Sequence, residues 1–106
     1  MTATYIVLIP PTRVTEDEAK FVNEYRREHR VTLSETLRRC INALRKNGKD
    51  FSRAPYGTSK QLLPGFLVDE GTAEFIGALA FEKDMSKCQI VRSAIDCMSK
   101  EVNVKI

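Results

Sequence analysis

The 106-residue chain carries 17 Lys/Arg against 14 Asp/Glu and is 42% hydrophobic and 29% charged, the balance of one ordinary soluble domain rather than a disordered or membrane-embedded chain. Its apolar run from Tyr5 to Pro11 is far shorter than the roughly 20 residues that span a bilayer, and it lacks the basic leader and cleavage site of a signal peptide. Cys40, Cys88 and Cys97 fall inside helical patterns and read as reduced core or interface residues of a cytosolic protein; with one histidine, His29, and no CxxC spacing, neither a disulfide framework nor a metal site is expected.

The net charge of +3 is unevenly placed. Residues 1–48 contribute +3, residues 49–60 contribute +2 and residues 61–106 contribute −2. That tilt suits a polyanion such as DNA, although a solvated surface of mixed charge fits it too.

In chain order, Tyr5-Ile6-Val7-Leu8-Ile9 begins a β-branched and aliphatic run that Pro10-Pro11 interrupts, so any strand here is short, irregular or at an edge. Thr15-Glu16-Asp17-Glu18 is a capping box, with Thr15 as N-cap and Glu18 reaching back. A helix is expected over 16–28, with Ala19, Val22 and Tyr25, beside Phe21, as its apolar stripe. Arg26, Arg27, His29 and Arg30 complement the dipole at its C-terminal end. Thr32 with Glu35 forms a second capping box, predicting a helix over 33–46 that buries Leu37, Cys40, Ile41 and Leu44. Asn47-Gly48 ends it, Gly48 being a candidate left-handed cap.

Lys49 to Lys60, with Pro55 and Gly57, reads as a linker, and Tyr56 is a candidate anchor within it. A second apolar segment, Leu62 to Val68, is interrupted by Pro64-Gly65. Asp69 is the expected cap of a helix over 70–82 with the stripe Ala73, Ile76, Leu79 and Ala80. Ser86 is the expected cap of a helix over 87–100 that buries Val91, Ala94, Ile95 and Met98. Val102 to Ile106 carry no clear signal.

The two halves repeat one another. Moving forward 54 positions without a gap carries Leu8 onto Leu62, Pro10 onto Pro64, Val14 onto Val68, Glu16 onto Glu70, Phe21 onto Phe75, Arg38 onto Arg92 and Ile41 onto Ile95. A repeat of this period marks one supersecondary unit used twice. Units of about 45 residues bury too little surface to be stable alone, so they are expected to share one core.

Thr32-Leu33-Ser34-Glu35-Thr36-Leu37-Arg38-Arg39-Cys40-Ile41 resembles the second-helix signature of the ribbon-helix-helix family, Ser-x-Ser-Glu-aliphatic-aliphatic-Arg-x-small-Ile, departing at Thr36. Ser86-Lys87-Cys88-Gln89-Ile90-Val91-Arg92-Ser93-Ala94-Ile95 resembles it with Cys88 for Ser and Gln89 for Glu. The likeness covers about 8–46 and 62–100. Members of this superfamily, of which Arc and MetJ are types, usually dimerise from one unit per chain; two units in one chain look more like the TraY proteins of conjugative plasmids and some tandem viral regulators.

The resemblance implies a mainly α fold with a short antiparallel β-ribbon, two ribbon-helix-helix units in one chain sharing one core as a pseudo-dimer. Residues 1–106 would form a single pseudo-twofold domain, with a first unit at 4–47, a linker at 48–60 and a second unit at 61–101. It implies duplex DNA as partner, with the ribbon in the major groove. The groove-facing positions carried over are Ile9, Pro11 and Arg13, with Leu63, Gly65 and Leu67; a register one residue away presents Thr12 and Gln61 instead. The implied phosphate clamps are Thr32, Leu33 and Ser34, with Ser86, Lys87 and Cys88, at helix N-termini that are ready anion sites on physical grounds as well.

This ribbon departs from the family pattern by offering few polar side chains, Arg13 foremost. Three readings stay open: a strand displaced by the prolines, base reading by one half only, or loss of base readout. Arg38 and Arg92 also read as ion-pair or hydrogen-bond partners within the fold.

An enzyme is not expected, since the chain lacks a glycine-rich phosphate loop and its carboxylates are explained by caps and solvation. No cofactor or membrane partner is implied. The function expected is sequence-specific DNA binding by a cytoplasmic, nucleoid-associated transcriptional regulator, a repressor of plasmid or viral type, with side-by-side self-association on DNA left open. The alternatives are a TraY-like relaxosome factor at a transfer origin and an antitoxin-like or other protein-interaction module.

Overall fold

The computed structural model describes residues 5–46 and 61–104. Its elements run β1 (Val7–Ile9), β2 (Thr12–Val14), α1 (Glu16–His29), α2 (Leu33–Lys46), β3 (Gln61–Leu63), β4 (Phe66–Val68), α3 (Glu70–Lys83) and α4 (Lys87–Val104). The chain is thus mainly helical with a small antiparallel β element. Gly48, Tyr56 and the linker reading at 48–60 lie outside the described residues.

Local chemistry accounts for where the helices begin. Thr15 Oγ1 accepts from the Glu18 amide at 3.2 Å while Glu18 Oε1 accepts from the Thr15 amide at 2.7 Å, a complete capping box. Ser86 and Gln89 form the same reciprocal pair at 3.2 Å each way, so Gln89 does the work that Glu does in α1. Thr32 Oγ1 accepts from the Glu35 amide at 3.1 Å, but Glu35 turns its carboxylate outward to Arg38 and Arg39. Asp69 corrects the expectation: its backbone sits at the N-cap of α3, yet its side chain makes no cap hydrogen bond and accepts from the Thr72 hydroxyl instead. That hydrogen bond holds the Asp69 carboxyl below its ordinary range.

The helix ends differ modestly from expectation. α1 and α3 each run one residue further, to His29 and Lys83, and α4 continues to Val104. Both α1 and α3 stop at a left-handed residue that is not glycine, Arg30 at φ 54° and Asp84 at φ 53°. Each cap amide donates back to the preceding turn, to Arg26 O and to Ala80 O. A left-handed non-glycine residue is strained by about 1 kcal/mol or more, so the turn geometry is held by what packs around it.

The ribbon forms between distant segments. β1 pairs antiparallel with β4, matching Val7, Leu8 and Ile9 to Val68, Leu67 and Phe66. β2 pairs antiparallel with β3, matching Thr12, Arg13 and Val14 to Leu63, Leu62 and Gln61. The two short ladders keep one continuous register through the breaks at Pro10-Pro11 and Pro64-Gly65. Advancing one partner by 54 positions and setting the other back by 54 converts each ladder into the other.

The breaks do more than interrupt hydrogen bonding. Ile9 and Thr12 are both buried, each 2% exposed, although strict alternation would put them on opposite faces. The strand therefore exchanges faces at Pro10-Pro11, and its partner does so at Pro64-Gly65, where Leu63 and Phe66 both point inward. A β-carbon on Gly65 would lie 2.7 Å from Ile9 O, so glycine is required where the two backbones cross this closely.

One core lies beneath the ribbon, drawing on both halves. The stripes of α2 and α4 fall inside as expected, with Leu37, Cys40, Ile41 and Leu44 facing Val91, Ala94, Ile95 and Met98. α2 and α4 share the most extensive helix contact. Each fully buried aliphatic side chain there contributes about 1.5–3 kcal/mol of transfer free energy. In α1 the expected stripe holds for Ala19 and Val22, while Phe21 and Tyr25 are half-buried at its margin. In α3, Ile76 and Leu79 are buried with Thr72, while Ala73 and Ala80 are half-buried.

Candidate nucleic-acid interface

The face exchange in the ribbon decides which side chains look outward. Inward go Ile9, Thr12, Val14, Leu63, Phe66 and Val68. Outward go Leu8 opposite Leu67 and Arg13 opposite Leu62, with Pro10, Pro11 and Pro64 exposed between them. Of the residues expected in a groove, Pro11, Arg13 and Leu67 are exposed and Gly65 is half-buried at the crossing. Ile9, Thr12 and Leu63 are corrections. All three are buried, and the Thr12 hydroxyl turns to Pro10 O at 3.4 Å. Gln61 is exposed at the ribbon's end, opposite the buried Val14. Neither uniform register considered from sequence describes this ribbon, because the exchange occurs within it.

The starts of α2 and α4 flank the ribbon crosswise. α2 packs on β4 and α4 on β2. Cys88 Sγ lies 3.9 Å from Pro11 O, which sets the α4 N-terminus beside the middle of the ribbon. On the other side, Arg38 in the second turn of α2 donates to Leu67 O at 2.9 Å. Thr32, Ser86 and Lys87 are exposed, and Leu33, Ser34 and Cys88 are half-buried. The first amides of a helix have no partner within it, and a helix start of this kind suits an anion such as a phosphate oxygen.

Arg38 and Arg92 occupy equivalent positions and do different things. Arg92 is 8% exposed, and its Nε donates to Glu18 Oε1 at 3.0 Å and Oε2 at 3.2 Å, joining the two halves through the α1 capping box. Arg38 remains nearer solvent, with Glu35 at 3.5 Å and the Tyr5 ring 4.1 Å beneath its guanidinium. Position 72, where the offset would require a carboxylate to receive Arg38, is Thr72. Arg38 therefore turns to the ribbon carbonyl.

Sequence reasoning missed two features of this surface. The first is the outward turn of Leu8 and Leu62, which no local signal reveals. The second is the contrast between the α1–α2 and α3–α4 corners. Arg26, Arg27 and Arg30 line a hollow of about 260 Å³ with Asn23 and Val31, the residue just before Thr32. The equivalent positions are Ala80, Phe81 and Asp84, and Phe81 is 91% exposed. Extending the 54-residue comparison to helix ends would have found it.

Beyond this surface, His29 stacks on Tyr25 with ring centroids 3.9 Å apart, and Arg39 donates to the Tyr25 hydroxyl at 3.3 Å. Burial pushes the Cys40 thiol up to about 12, so it stays protonated inside the core. Among the described residues no cluster of His, Cys, Asp or Glu could hold a metal ion, and no helix is long and apolar enough to cross a membrane. No protein family, curated protein or solved structure matches the chain.

Proposed function

We propose that this chain is a single-chain, pseudo-twofold ribbon-helix-helix protein that binds duplex DNA through its ribbon and regulates transcription at the nucleoid by occupying an operator. The observation that carries the reading is the ribbon register, in which residues 7–14 pair with residues 61–68 and the two ladders interconvert through the 54-residue offset. A two-stranded ribbon has the width of the B-DNA major groove. Support comes from the far end of the core, where Cys97 Sγ lies 3.9 Å from Ala43 O. Those two positions are also 54 apart, as expected where a twofold axis passes between α2 and α4. The reading is supported by the exposed helix starts beside the ribbon, which on this reading would meet phosphates on either side of a groove, and by the cations gathered at the first corner.

The test is a fluorescence anisotropy titration of the whole chain with duplex from upstream of its own reading frame and with a scrambled duplex, across a salt series. Tighter binding upstream, with both affinities falling as salt rises, is the expected outcome. Equal affinity for both would leave DNA binding in place and remove the operator assignment, making a transfer origin the next duplex to try. No binding at low salt would overturn the reading.

A further inference from the structure

We infer that the outer face of the ribbon recognises thymine C5-methyl groups in the major groove. The inference rests on the DNA-binding reading above and names the chemistry its target must carry. Two cross-strand pairs look outward, Leu8 with Leu67 and Arg13 with Leu62, with prolines between them. Leu8 is 61%, Leu62 57% and Leu67 42% exposed. Single exposed leucines are unremarkable, but three on one narrow strand face form an apolar patch with a purpose.

The charge of this face points to the partner. Neither residues 5–14 nor residues 61–68 contain a carboxylate, and their one charged side chain is Arg13. An apolar, cationic strip without acids complements a groove walled by phosphates. On the floor of that groove the thymine methyl is the apolar group, and every other edge is a donor or acceptor. A leucine over cytosine N4 or guanine O6 strips water from a polar group and returns no hydrogen bond. Over a thymine methyl it buries apolar surface against apolar surface. The leucines therefore select thymine and penalise the other bases.

The face is also uneven. One cross-strand pair is Leu–Leu and the other Arg–Leu, so methyl groups are read on both sides of the ribbon's centre. A guanine is read on one side, where Arg13 can donate to O6 and N7. The target is non-palindromic, with thymines in both halves.

Removing the methyls while keeping base pairing and phosphates tests this directly. A pool of random 24-base-pair duplexes is enriched for binding to the whole chain, then copied with deoxyuridine in place of thymidine. The enriched thymine duplexes are expected to bind about fourfold more tightly for each methyl in contact, an order of ten or more in total, whereas thymine and uracil copies of the unselected pool bind alike. Leu8→Ala with Leu67→Ala narrows the gap, and far-ultraviolet circular dichroism verifies that this variant stays folded. Equal binding of enriched thymine and uracil copies overturns the methyl readout and leaves the DNA-binding reading standing. Failure to enrich or bind any duplex at low salt overturns both, and would assign the leucine face to a protein partner or a second copy of the chain.

Discussion

The α1–α2 corner and the α3–α4 corner follow the same backbone path with opposite chemistry. Each first helix ends on a left-handed residue, at φ 54° for Arg30 and φ 53° for Asp84, and each second helix begins with a hydroxyl cap two residues later. Around that shared turn one corner gathers Arg26, Arg27 and Arg30, while the other presents Ala80, an exposed Phe81 and Asp84. The difference teaches that this fold constrains caps, apolar stripes and strand register but leaves surface charge free to diverge. Two identical chains could not do this, whereas one chain carrying both corners can differ in charge from one end to the other.

The sharpest way to break the comparison is at the paired arginines. Arg92→Ala would leave the Glu18 carboxylate, 13% exposed, with the Thr15 amide but no cation beside it. A loss of about 3–5 kcal/mol is expected in urea denaturation. Arg38→Ala at the equivalent position should cost about 1 kcal/mol or less, because solvent screens its ion pair with Glu35. Equal losses would mean that the two positions are energetically alike after all.

A second asymmetry lies in the core, where Cys40 occupies the position equivalent to Ala94 and both are buried. The unfolded thiol ionises near its ordinary value of 9.0 and the folded one only near 12. A group whose folded value is raised contributes stability that is complete below pH 9 and is lost as pH climbs toward 12. Wild type should therefore lose up to about 4 kcal/mol more than Cys40→Ala across that window. Parallel pH profiles for the two proteins would show that Cys40 is not sealed from water.

The smallest effect sharpens the contrast of corners. Arg30→Gly relieves a left-handed arginine and should stabilise the fold by about 1 kcal/mol, while Asp84→Gly gains less because aspartate tolerates that conformation better. If the basic corner holds phosphate, Arg30→Gly also lowers the salt slope of DNA binding by about one unit, and Asp84→Gly does not. A slope unchanged by Arg30→Gly would separate the basic corner from the DNA.

Most of the helical framework was legible because its signals act over a few residues. Thr15 with Glu18, and apolar residues recurring along 33–46 and 87–98, place helix starts and buried faces without reference to the rest of the chain. That 7–14 and 61–68 pair was implied only by the resemblance to ribbon-helix-helix proteins, since nothing local in either segment names its partner. Asp69 was read at the right position, the N-cap of α3, but its side chain makes no cap because Thr72, three residues on, offers the carboxylate a hydroxyl donor. α4 was drawn short because nothing local ends it at Lys100.

By itself, then, the sequence determined four helices, their caps, their buried stripes and a twofold internal repeat. Only the tertiary structure decided which strand residues face outward, because that depends on two proline breaks meeting across the ribbon, 54 residues apart in the chain. It also decided that Arg92 is buried on Glu18 while Arg38 reaches Leu67 O, since each arginine takes the acceptor that the opposite half brings near. Capping and periodicity are short-range; the faces of a strand and the partners of a long side chain are set by whatever folds against them.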